Sequence, residues 1–150
     1  MLRAIQLAEN GMNNNDGGPF GAVIVKDGKI IGEGNNRVTS TNDPTAHAEV
    51  VAIRNACSNL SSFQLEGCEL YTSCEPCPMC LGAIYWARPK AIYYACTRMD
   101  AADAGFDDQF IYDELAVDFN ERKIPIIQQA RTESLEVFSK WKSKVDKTKY

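Results

Sequence analysis

A chain of 150 residues, 45% hydrophobic and 24% charged, has the length of one domain and enough apolar content to fold without disulfide staples. Its single histidine, His47, excludes zinc sites built on two or three imidazoles, the H-E-x-x-H peptidases among them, and leaves room for one His-dependent centre. A net charge of -4 offers no global attraction to a polyanion, so nucleic acid is disfavoured as a partner.

The chain opens with apolar residues at 2, 4, 5, 7 and 8, which predicts a helix over Leu2–Asn10 closed by Gly11 as its C-cap. This start lacks the apolar core of a signal peptide. No run approaches the roughly 18 apolar residues of a membrane span. The expectation is a cytoplasmic protein with reduced thiols and no membrane partner.

Phe20–Lys26 and Lys29–Gly34 read as two strands, joined at Asp27-Gly28 by a tight hairpin turn. After a polar loop, Asp43-Pro44 starts a second helix, with Asp as cap and Pro in the first turn. Ala46, Val50, Ile53, Cys57 and Leu60 form its predicted apolar stripe. A strand over 68–73, a short helix over 78–86 and a strand over 91–96 follow. Residues 99–108 read as a loop. Ile124–Gln129 reads as an edge strand because Pro125 interrupts it, and Leu135–Lys144 as a final helix. The order predicts one α/β domain over residues 1–150, with about five strands covered by helices. Charge is unevenly placed: Asp100–Glu121 holds eight acids and no Lys or Arg, whereas Lys140–Lys149 holds five lysines and one acid. The lysine-rich end reads as a solvated helix face or a frayed tail.

Two short motifs carry the chemistry. His47-Ala48-Glu49 lies near the start of the second helix and Pro76-Cys77-Pro78-Met79-Cys80 opens the third, with 26 residues between Glu49 and Pro76. Each motif alone is common; H-x-E followed by P-C-x-x-C is the known signature of zinc-dependent nucleobase deaminases. Cys77 and Cys80 stand one helical turn apart, so both sulfurs reach one metal. A helix N-terminus lowers a thiol's pKa and favours the thiolate ligand. His47 supplies a third ligand and leaves a fourth position for water. Glu49 suits a proton carrier that is not a ligand. Residues i and i+2 point about 200° apart on a helix, so His47 and Glu49 share a site only where the helix meets it end-on.

Over Gly17–Gly28, Asn42–Glu49, Tyr71–Lys90 and Asp100–Asp108, the chain resembles the cytidine-deaminase superfamily, and within it the bacterial guanine deaminases. The resemblance implies a three-layer α/β/α sandwich with a mixed five-stranded sheet. It implies one zinc per subunit, held by His47, Cys77 and Cys80 with water or hydroxide as fourth ligand. The implied reaction is hydrolysis of guanine to xanthine and ammonia, with Glu49 as catalytic residue. Asn36, Phe20, Asp108 and Tyr150 match positions that bind the purine, and Trp86 is a further pocket candidate. The resemblance also implies a homodimer in which the C-terminal segment, about 133–150, packs on the partner subunit.

Other readings stay open on the residues alone. A tRNA adenosine deaminase or guanosine deaminase shares the zinc motifs. Cys74, Cys77 and Cys80 form overlapping C-x-x-C pairs, so a redox protein or a structural zinc site with Cys74 as fourth ligand is a different class. An iron–sulfur run would need a cysteine where Ile84 stands. Cys74 reads as a packed bystander, and Cys57, Cys68 and Cys96 as core residues.

Overall fold

The computed structural model describes residues 1–149; the expected pocket residue Tyr150 lies outside them. The chain divides into two compact units, Met1–Gln109 and a second from Phe110 onward.

In the first unit, β1 (Gly21–Lys26) and β2 (Lys29–Asn35) form the predicted hairpin. Asp27 and Gly28 both adopt positive φ, +49° and +74°, as a tight primed turn requires. With β3 (Glu69–Cys74) and β4 (Ala91–Cys96) they make a four-stranded sheet in the order β2-β1-β3-β4. β1 runs antiparallel to β2 and β3, and β3 runs parallel to β4. The parallel pair is joined through a crossover helix, α4 (Pro78–Ala87).

Helices cover both faces. α1 (Leu2–Asn13) lies against the Gly21 side of β1, where a Cβ on Gly21 would meet Ala4 O at 2.2 Å. α3 (Ala48–Leu60) and α4 pack on the other face, around Ala22, Ile24, Leu70 and Ile84. Each large side chain buried there contributes about 1.5–3 kcal/mol relative to exposure.

The structure corrects the predicted helices in two places. α1 does not stop at Gly11 but runs through it. A Cβ at Gly11 would fall 2.3 Å from Asn35 Nδ2, so this glycine serves close packing on β2 rather than a C-cap. The second predicted helix starts at Ala48, not near Pro44. Asp43 instead caps a turn, its Oδ1 accepting from Thr45 N–H at 2.8 Å and from the Thr45 hydroxyl at 2.7 Å. The deepest stripe of α3 is Ala48, Ala52 and Ala56, all fully buried, while Val50, Ile53, Cys57 and Leu60 are half-buried. Small side chains win these positions because α3 passes close over the backbone of β2, with Gly32 facing Ala52 and Ala56.

A short helix, α2 (Val38–Thr41), interrupts the polar loop after β2. Residues 99–108 are not all loop: α5 (Arg98–Asp103) begins with a capping box between Thr97 and Asp100. That Thr-x-x-Asp spacing is a sequence signal for a helix start. Cys96, expected in the core, is exposed, because β4 is the outer strand of this sheet.

The second unit contains most of α6 (Gln109–Ala116), a 3-10 turn at Phe119–Glu121, and α7 (Arg131–Ser143). The expected fifth strand over 124–129 does not form: the described sheet has four strands, and Ile124 and Ile127 are 79% and 73% exposed. Pro125 offers no N–H, and no described strand pairs with this segment. The lysines near the end of α7 suit the negative end of its dipole. No described helix is long and apolar enough to cross a membrane.

Candidate active site

Two helix N-termini converge on one point. His47 is the N-cap of α3 and Cys77 the N-cap of α4, both with extended backbone. That non-helical conformation throws each side chain ahead of its helix. Glu49 and Cys80 follow in the first turns, which is the end-on arrangement that lets residues i and i+2 face one site. Pro78 at the first helical position of α4 has no N–H to leave unpaired.

His47 Nδ1 lies 3.6 Å from Cys77 Sγ and 3.5 Å from Cys80 Sγ. One donor atom from each of the three residues lies within 4.8 Å of the others. Bond lengths of about 2.0 Å to nitrogen and 2.3 Å to sulfur at a tetrahedral angle place N and S roughly 3.5 Å apart, so spacing and donor chemistry both fit zinc. Cys74 is not in this cluster; its thiol donates to Thr97 O at 3.5 Å. The set is therefore three donors, which leaves one position for water or substrate.

Without a metal, the donors hold protons unequally. The hydrogen bond with Cys80 brings the Cys77 thiol down to about 4 against its burial, and His47 adds to the effect. Cys80 is pushed up by the same bond and by burial. His47 is raised by its bond to Cys77. Burial raises the Glu49 carboxyl, whose Oε2 lies 3.5 Å from Cys80 Sγ. Burial pushes the Cys74 thiol to about 11, so it stays protonated.

Beside the cluster is a pocket of about 360 Å³, lined by His47, Glu49 and Cys77 together with Phe20, Asn36 and Asp108. Most of the residues expected from the sequence thus meet here. Asn36 is buried, and its Oδ1 accepts from Gly18 N–H at 3.3 Å and Val38 N–H at 3.2 Å. These bonds orient the amide and leave its NH2 to donate. A Cβ at Gly17 would stand 2.2 Å from Asn36 Oδ1, so only glycine permits that approach. Burial and the Cys77 thiolate raise Asp108, while Arg98 pulls it back.

Trp86 does not line this pocket. It is exposed near the far end of α4, about 13 Å along the helix from Cys77. Among the lining residues not expected from the sequence are Phe106, Glu75 and Arg98. The Phe106 ring packs edge-on against Phe20, centroids 5.0 Å apart at 84°. Its signal is a large aromatic after Gly105, in an otherwise small and acidic stretch.

Residues 1–96 match the cytidine and deoxycytidylate deaminase zinc-binding region. The chain belongs to this deaminase family. Among its relatives, the guanine deaminase of Bacillus subtilis is 62% identical over 150 residues, which is 100% of this chain and 96% of that protein. The crystal structure of a Bacillus subtilis guanine deaminase superposes with a TM-score of 0.96 at 61% identity, covering 99% of this chain and 95% of the other. A tRNA-specific adenosine deaminase of Aquifex aeolicus is 48% identical over 77 residues, 51% of each chain. Similarity to that deaminase thus spans about half of the chain, and similarity to the guanine deaminase spans all of it.

Proposed function

We propose that this deaminase hydrolyses guanine, with one water, to xanthine and ammonia. The observation that carries the reading is full-length identity with a guanine deaminase, joined to a pocket whose walls include Asn36 and Asp108. His47, Cys77 and Cys80 would hold one zinc ion and leave a fourth position for water. Zinc, when bound, supplies Lewis-acid activation of water at neutral pH. Glu49 takes a proton from the attacking water and delivers it to the ring nitrogen beside the amino-bearing carbon, then carries the second proton, from the new hydroxyl, to the amino group as it leaves as ammonia. The Asn36 NH2 donates to a purine acceptor, and guanine presents N7 and O6 as acceptors. Phe20 walls the base, and Asp108 accepts from its N–H groups.

Four carboxylates and one guanidinium line the pocket, a balance that repels a nucleic-acid backbone. Ammonia release is therefore expected from guanine and not from a tRNA anticodon stem, with guanosine, adenine and cytosine as the other arms of the assay. Faster release from the stem than from guanine would overturn the assignment. Asp108→Ala is expected to cut kcat/KM for guanine by about 10–100-fold, the size of a lost hydrogen bond to a charged group. An unchanged kcat/KM would remove Asp108 from base recognition.

The protein is further proposed to act in the cytoplasm, where its six free thiols suit a reducing compartment, and to work as a homodimer that exchanges residues of about 133–150. α7 supports the dimer, since it exposes Val137, Phe138 and Trp141 and buries no residue. Apolar surface of that kind is usually covered by a partner. Sedimentation is expected to give twice the chain mass; a monomer would contradict the exchange.

A further inference from the structure

The loop that carries Cys77 and the segment that carries Phe106 and Asp108 are tied together through Glu75. Its backbone N–H donates to Cys96 O at 2.8 Å, and its Oε2 accepts the Arg98 backbone N–H at 3.1 Å. Arg98 is the first residue of α5, where a backbone N–H is ordinarily satisfied from outside the helix. The capping box of Thr97 and Asp100 secures the same end, and the Cys74 thiol adds a weaker sulfur bond to Thr97 O at 3.5 Å. At the other end of α5, Gly105 N–H donates to Ala102 O and Phe106 N–H to Ala101 O, each at 2.9 Å. Gly105, at φ +90°, turns the chain toward Asp108. The placement of Phe106 and Asp108 is thus passed from the cysteine loop through one short helix.

We infer that Glu75 is a positioning residue: by accepting the Arg98 N–H it sets α5, and with it Phe106 and Asp108, against the metal-ligand loop, and so governs guanine binding rather than proton transfer. This rests on the guanine reading above. Glu75 accepts the Arg98 N–H at the start of α5, whereas the metal cluster consists of His47, Cys77 and Cys80 without it.

The test compares zinc-loaded wild type with Glu75→Ala and Glu75→Gln. Glu75→Ala is expected to raise KM for guanine about tenfold, the size of one hydrogen bond to a charged acceptor, with kcat and zinc content little changed. Glu75→Gln is expected to restore KM, because an amide oxygen accepts the same N–H. An unchanged KM, a loss in kcat alone, loss of zinc, or failure of Gln to restore KM would overturn the inference. If Glu75→Ala does not fold, Arg98→Pro and Arg98→Ala replace it. Proline is tolerated at the first helical position and removes only the donor that Ala keeps, so KM should be about tenfold higher for Pro than for Ala; equal KM values would overturn the link. Backbone hydrogen exchange over residues 98–108 reads the link without substrate. It should quicken in Glu75→Ala and recover in Glu75→Gln, and unchanged exchange would overturn the link. Absent guanine turnover in wild type, with that exchange pattern intact, would overturn the guanine reading and uphold the link.

Discussion

Glu49→Gln is expected to lower kcat for guanine by about 10²–10⁴-fold, the range for a positioned proton carrier, with zinc content unchanged. Glutamine keeps the shape of glutamate and its hydrogen bonding to Cys80, but it cannot take up and release the proton. Glu49 is buried in the first turn of α3, beside the metal donors yet outside the cluster of three. Removing its charge therefore acts on proton transfer and leaves metal retention alone. Turnover within a factor of about ten of wild type would remove Glu49 as the carrier. Loss of zinc from the variant would make Glu49 a ligand.

Cys77→Ser is expected to abolish guanine turnover and to bring zinc content well below one per chain. A serine hydroxyl is protonated at neutral pH and replaces one of only two sulfurs, whereas the Cys77 thiol is already held down to about 4. The same loss shows in stability. Zinc at a hundredfold over its dissociation constant stabilises a native site by about 2.7 kcal/mol, which raises Tm by roughly 5–10 °C in a chain of this size. Wild type is expected to show that rise after chelation and reloading, and Cys77→Ser to lose it. Cys74→Ser should keep its zinc, because Cys74 lies outside the donor cluster and bonds Thr97 O instead. Zinc loss from Cys74→Ser would revive the four-ligand structural reading.

The donor set was legible in the sequence because it depends on residue chemistry and short spacing. One histidine can supply only one imidazole, and Cys77 and Cys80 are one turn apart on any helix that starts at Pro78. The four strands were legible too: β1 and β4 are compact apolar runs, and Asp27-Gly28 announces the turn into β2. The start of α3 was not legible. Asp43-Pro44 is a sound local cap signal, but the structure uses it for a turn and holds His47 back as the N-cap, which is what allows His47 and Glu49 to face one metal.

Other features depend on residues distant in sequence. Gly11 looked like a helix stop and is a packing position, because Asn35 of β2 lies against it. Phe20 meets Phe106, and Glu75 meets Arg98, only when the β2-β1-β3-β4 order brings their loops to the same end of the sheet. Local propensity carries no record of such neighbours. By itself, the sequence determined which three residues form the donor cluster and which carboxylate stands beside them, since those roles are set by side-chain chemistry at short range. Only the tertiary structure decided that two helices meet the site end-on, that Phe106, Glu75 and Arg98 line the pocket while Trp86 does not, and that Ile124–Gln129 stays outside the sheet. Each of these is set by close approach of chain segments far apart in sequence.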